Sequence, residues 1–141
     1  MTIEFWANPS SVSGDKRVAG TSCAGPEIGI SGGSWLMCMC GVGSSCLTGT
    51  ATANQWQHIV GVWENSTSRK LYVNGVLQGT NTYSSAATTN WTQIGARSSS
   101  YYYAGKLDEV RIYTQALIST EIQKHYAEGL EKHRLFVKRD E

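Results

Sequence analysis

Two kinds of residue in this sequence could do chemistry, and the first is a pair of carboxylates. In "GKLDEVRIYTQAL", Gly105 to Leu117, an Asp and a Glu stand side by side in a run that alternates like a strand. Paired carboxylates cleave glycosidic bonds when both face the sugar, roughly 5 Å apart in retaining enzymes. Carboxylates also bind Ca2+, which takes hard oxygen ligands. Successive side chains of a strand point to opposite faces. Regular alternation therefore groups Asp108 with Lys106, Val110 and Ile112, and Glu109 with Leu107, Arg111 and Tyr113. So placed, the two carboxylates cannot converge on one glycosidic bond. Asp108 is left on an otherwise apolar face, where a carboxylate needs hydrogen bonds or a cation. We expect Asp108 to be buried at a strand end and fully hydrogen-bonded, with Ca2+ ligation as the functional alternative. Glu109 and Arg111 are expected to form an exposed ion pair, which contributes little.

The second kind is aromatic. The chain holds five Trp and seven Tyr. Sugar recognition stacks aromatic faces on pyranose C–H groups and adds fixed polar donors. "SSSYYYAG" sets Tyr101, Tyr102 and Tyr103 in a Ser-rich loop, and alternation cannot bury all three. Asn90 and Trp91 lie in a second loop. Tyr101, Tyr102, Trp91 and Asn90 are the candidate ligand-binding rim. Trp6, Trp56 and Trp63 read as core, because bulky aromatics dominate interiors, and His58 reads as a satisfied core histidine.

Cys23, Cys38, Cys40 and Cys46 cluster in a Gly- and Ser-rich window. Cys38-x-Cys40 lacks zinc-knuckle spacing and no His is near in sequence, which disfavours a zinc site. Clustered, even-numbered cysteines point to disulfides and an oxidising compartment. With Gly32-Gly33 as a hairpin turn, Ile28 faces Met37, Glu27 faces Cys38, and Cys23 falls opposite Val42. Cys38 and Cys40 are two apart in an extended strand, roughly 6.5–7 Å between Cα atoms, at or beyond the bridging limit. The expected pairs are Cys23–Cys40 and Cys38–Cys46.

Other chemistries are excluded more quickly. A net charge of +1 gives no electrostatic footprint for nucleic acid. "GVGSSCLTGT" has no Lys after its glycines and no helix following, so it is not a phosphate loop. No apolar run reaches membrane-spanning length, and "MTIEFWANP" is not a signal peptide. Asn65 and Asn90 head glycan-acceptor triplets, a pattern common by chance.

The elements that must position these residues are short strands. The length of 141 residues suits one domain. "TIEFWANP" alternates Ile3, Phe5 and Ala7 against Glu4 and Trp6, and "QWQHIVGVWEN" alternates likewise. "LYVNGVL" is a hairpin on an Asn74-Gly75 type I′ turn. "WTQIGAR" and "KLDEVRIY" supply further strands. The period then changes: Ile122, Tyr126 and Leu130 mark one helical face, with Ser119 as N-cap and Gly129 fraying or ending the helix. The pattern is an all-β, antiparallel β-sandwich with one short C-terminal helix.

"IEFWANPS", "WQHIVGVWENSTSRKLYVNGVLQGT", "TQIGAR", "YYAGKLDEVRIYTQAL" and "EIQKHYAEG" occur in that order. The set resembles the laminin-G-like jelly-roll domains of the concanavalin A-like lectin/glucanase superfamily. The resemblance spans about Thr2 to Gly129. It implies a jelly roll over 1–129, with 130–141 as a basic C-terminal tail. Such domains usually begin upstream, with strands around "YW-F-E" and "F-DG-DDYV" segments, so the expectation is a domain lacking its N-terminal strands. An uncovered sheet edge would then favour self-association. The family's Ca2+ sites make Asp108 the metal candidate, and its helix start places Ile118 where "LS-x-x-E" has its Ser, shifting the cap to Ser119. The glucanase strand Glu-x-Asp-x-x-Glu has no match here. The implied function is non-catalytic recognition of a glycan or surface protein, within an exported adhesion-type protein outside the cell or at its surface. A purely structural spacer is the alternative, and a glycan-active enzyme a third. Neither nucleic acid nor membrane insertion is expected.

Overall fold

The structure is a computed structural model that describes residues 1–21, 25–39, 46–65, 68–82, 93–97 and 100–138, with side chains up to His133. Its organisation follows from strand β1 (Thr2–Pro9). Ile3, Phe5 and Ala7 point to one face and are completely buried, while Thr2, Glu4 and Trp6 point to the other and are buried too. A strand buried on both faces must have a layer over each.

One layer is a second sheet. The first sheet runs β10 (Gly105–Tyr113), β1, β6 (Gln57–Trp63), β7 (Ser68–Val73), β8 (Val76–Thr82). The second runs β5 (Leu47–Thr50), β4 (Ser34–Met39), β3 (Pro26–Ser31), β2 (Asp15–Gly20), β9 (Gln93–Ile94). Each has five strands, and every pairing between named strands is antiparallel. Between them Ile3 and Phe5 pack with Ile28, Ile30, Trp35 and Ile59. The Trp35 indole N–H, buried in this core, donates to Gln57 Oε1 at 2.9 Å.

The turns expected from sequence are present. Gly32 and Gly33 both have positive φ and set Ile28 opposite Met37 and Glu27 opposite Cys38. Asn74 (φ 51) and Gly75 (φ 76) close the β7–β8 hairpin at Val73 and Val76. Cys38 and Cys46 are joined by a disulfide. Cys23 and Cys40 lie outside the described residues. Strands β2 ("DKRVAG") and β5 ("LTGT") carry no clear alternation and are not legible from sequence. Neighbouring strands, rather than their own residues, hold them extended.

The other layer is α1 (Ser119–Lys138), which covers the outer face of the first sheet. Ile122 packs on Val60, Val62 and Tyr72. The helix does not end at Gly129. It continues for a further two turns, and His133 is buried, so a boundary between 129 and 130 falls inside the helix. Gly129 is there for space: a Cβ on it would lie 2.6 Å from Trp6 Cε2.

The cap also differs from the expected one. The first helical bond runs from Ile122 N–H to the Ile118 carbonyl, and Glu121 Oε2 accepts the Ile118 N–H at 3.1 Å. The Glu121 bond is one half of a capping box with Ile118 at the N-cap; the other half is missing because Ile118 has no side-chain acceptor. Ile118 is 62% exposed, so it contributes little packing. Ile118→Ser should therefore stabilise the chain by about 1 kcal/mol, seen as a higher urea midpoint. An unchanged midpoint would mean that water already satisfies the Thr120 and Glu121 N–H groups that a serine at 118 would bond.

Candidate functional site

Strand β10 does not alternate regularly. Glu4 pairs with Arg111 and Trp6 with Asp108, so Glu109 and Val110 together face Phe5. This is a β-bulge, and Glu109 takes φ 50 within it. The extra residue resets the faces. Asp108 and Arg111, three apart, both lie on the helix-covered side with their partners Trp6 and Glu4. The expected grouping of Asp108 with Val110 and Ile112 is therefore corrected. The two carboxylates do converge, but on a lysine. Lys132 Nζ lies 3.2 Å from Glu109 Oε1 and 3.5 Å from Asp108 Oδ2.

Asp108 is partly exposed, not buried, with 41% of its side chain accessible. It is nonetheless well bonded. Its Oδ1 accepts the Glu109 N–H at 2.9 Å, and its Oδ2 lies 3.2 Å from His133 Nε2. His133 Nδ1 lies 2.6 Å from the Gly129 carbonyl oxygen. Partial burial opposes ionisation of Asp108, but the Glu109 N–H, Lys132 and His133 hold its carboxyl below the usual range. A Ca2+ ion takes six to eight oxygens. An ammonium and an imidazole around one carboxylate do not fit it, and among the described residues no His, Cys, Asp and Glu gather as a metal-ligand group. The Glu109–Arg111 ion pair is present at 3.8 Å, beside Lys132.

The strongest electrostatic feature is Glu4, whose side chain is 2% exposed. It accepts from Tyr113 Oη at 2.5 Å and lies 3.0 Å from His125 Nδ1, 3.4 Å from His58 Nε2 and 3.4 Å from Arg111 Nη1. Burial alone would raise its pKa, but hydrogen bonds from His58, Tyr113 and His125 outweigh that and bring it to about 2. Burial and the Glu4 carboxylate push the Tyr113 phenol up, the wrong direction for a tyrosinate nucleophile. The cluster ties β1, β6, β10 and α1 together.

Tyr101 and Tyr102 lie at the far side of the molecule, beside β2. They are 42% and 67% exposed. Tyr101 has φ 52, and its carbonyl accepts the Arg17 N–H at 2.7 Å. Below it, on the second sheet's outer face, Glu27 Oε2 pairs with Arg17 Nε at 3.1 Å and Arg97 Nη1 at 2.8 Å. Trp91 and Asn90 lie outside the described residues. Trp6 and Trp63 are buried, as expected, and Trp56 lies against His133 at 4.7 Å.

Spacing does not single out Arg17, Glu27, Arg97 or Glu4. Only Glu4 carries a hint, since it shares a strand face with Trp6, and a bulky aromatic there signals a cover. Arg17 and Arg97 are far apart in sequence and meet only through β2, β3 and the segment after β9.

Two five-stranded antiparallel sheets packed face to face, with a helix outside one of them, define a lectin-like sandwich. The chain matches the Laminin_G_3 family of the concanavalin A-like lectin/glucanases superfamily over residues 1–123, and it belongs to that family. No curated protein matches it in sequence. Among solved structures it is similar to a proposed carbohydrate-binding protein from Bacteroides ovatus, at 16% identity and TM-score 0.72, covering 86% of this chain and 39% of that one. Domain 4 of AbnA, an extracellular arabinanase from Geobacillus stearothermophilus solved with arabinotriose, gives 19% identity and TM-score 0.69, covering 87% and 64%. A botulinum neurotoxin type C structure gives 14% identity and TM-score 0.67, covering 90% and 35%. The chain thus spans less than two thirds of each of these chains. At such identities their likeness shows the shared sandwich fold alone, while the family match places the chain in a superfamily of lectins and glucanases.

Proposed function

We propose that the chain is a non-catalytic glycan-recognition module of an exported protein, with Tyr101 and Tyr102 as its stacking surface. The observation that carries this reading is the exposed Tyr101 ring seated on Arg17 and Arg97, which the buried Glu27 holds, with the exposed Tyr102 next to it. Exposed aromatics presented rigidly suit a sugar ring better than flexible ones, because less side-chain entropy is lost on binding. The AbnA domain was solved with arabinotriose, and cell entry of botulinum neurotoxin type C depends on two ganglioside molecules. Export is supported by the Cys38–Cys46 disulfide and by the extracellular arabinanase. A catalytic role is not favoured, because Asp108 and Glu109 face Lys132 and Glu4 is enclosed by its donors.

The experiment is a glycan array followed by titration calorimetry on its hits. Tyr101→Ala and Tyr102→Ala should each weaken binding by about tenfold, the loss of one stacking contact, with unfolding midpoints close to the parent's. Binding that survives both changes would place the site elsewhere. A chain that binds no glycan would favour the spacer reading.

A further inference from the structure

Strand β10 ends the first sheet, and its outer side pairs with no described strand. An open edge presents backbone N–H and C=O groups to which another strand can bond. Alternation identifies those groups. Met1 and Trp63 exchange both backbone bonds, each at 2.9 Å. In an antiparallel pair, residues that exchange bonds alternate with residues whose groups point away. Met1, Ile3, Phe5 and Ala7 therefore bond toward β6, and Thr2, Glu4, Trp6 and Asn8 toward β10. Opposite Ile3 and Ala7 stand Ile112 and Leu107, so these two direct their backbone groups to the open side. The side chains along this edge are apolar as well. Ile112 lies on the face of Ile3, which is completely buried between the sheets, yet Ile112 is 50% exposed and Val110 37%. The core is thus left open along β10.

We propose that β10 pairs antiparallel with β10 of a second copy, about a two-fold axis between Glu109 and Val110, and so joins two sandwiches through one continuous sheet. In this register Leu107 faces Ile112 of the second copy, Asp108 faces its Arg111 and Lys106 its Tyr113. Each contact occurs twice, because a two-fold interface is self-complementary. Leu107 and Ile112 both lie on the core side and both direct backbone groups outward, so they exchange hydrogen bonds and extend the apolar strip. Asp108 and Arg111 both lie on the helix side, with 41% and 51% of their side chains exposed. Opposite charges therefore meet across the new pair, the favourable arrangement for directly opposed residues. A slip by two residues would set Lys106 against Arg111 of the second copy, and like charges so placed are destabilising. Charges and a bulge ordinarily blunt an edge. Here the charges are complementary under the two-fold, and the bulge of one copy lies against the bulge of the other. The inference stands apart from the glycan-binding reading.

The test is sedimentation velocity and light scattering of the full chain over a series reaching about 0.5 mM, because a single strand pair is a small interface of the weak kind. Molar mass should rise toward twice that of the chain. Ile112→Pro removes an N–H that points to the open side and takes no part in the β1 ladder, a position where a strand tolerates proline. It should weaken association by at least about tenfold, through the loss of one inter-strand bond from each copy. Where the proline variant does not fold, Ile112→Lys decides, since its ammonium would face Leu107 of the second copy and should cause a similar loss. A monomer at every concentration overturns the proposal. So does a dimer that the substitution leaves intact, because its contact would then lie on another surface.

Discussion

Glu4→Ala should lower the unfolding free energy by about 3–5 kcal/mol, the range for removing one partner of a buried charge cluster. Glu4 is the acceptor shared by Tyr113, His125, His58 and Arg111. Without it, the buried His58 ring loses the carboxylate that its Nε2 faces, and α1 loses its contact through His125. Glu4→Gln keeps the shape and removes the charge, so it should cost less than the alanine change. The pH dependence has a definite sign. The folded pKa of about 2 lies below the ordinary glutamate value of 4.5. The carboxylate therefore contributes stability that is fully present above about pH 4.5 and is lost as pH falls toward about 2. The contribution is about 3 kcal/mol. Urea midpoints for the parent and Glu4→Gln should differ clearly at neutral pH and draw together in acid. A gap of constant size across that window would show that packing, not ionisation, makes Glu4 important.

Gly129→Ala should destabilise the chain even though alanine is the better helix former by about 1 kcal/mol. The new Cβ would lie 2.6 Å from Trp6 Cε2 and Cζ2. Trp6 cannot step aside. It is 2% exposed, stacked on His133 at 4.1 Å and on Tyr126 at 5.8 Å, and its backbone pairs with His58. Overpacking of this kind costs about 1–3 kcal/mol beyond the propensity gain it must cancel. The expected result is a lower melting temperature with a shift of tryptophan emission as the helix lifts from the sheet. A variant as stable as the parent would mean that α1 can slide on the sheet without loss.

The sequence by itself determined the elements whose signals are local. Alternation grouped Ile3, Phe5 and Ala7 on one face, because a strand has a strict period of two, and that face is the one packed between the sheets. Gly32-Gly33 and Asn74-Gly75 fixed two hairpins, because only residues tolerant of positive φ close such turns. The hairpin at Gly32-Gly33 fixed the register that sets Glu27 opposite Cys38, and the change of period after Ser119 announced the helix. The order of motifs was enough to place the chain in its superfamily.

Only the tertiary structure decided where the chemistry stands. The bulge at Glu109 is one inserted residue with no sequence mark, yet it turns Asp108 toward α1 and undoes every face assignment beyond it. Gly129 reads as a helix end because glycine usually is one. It lies mid-helix because Trp6, from the opposite end of the chain, needs the space. Glu4 and His125 are 121 residues apart, and Glu27 and Arg97 are 70 apart. Pairings at such separations leave no periodicity to read, since periodicity records the local path of the chain and not what that path is folded against.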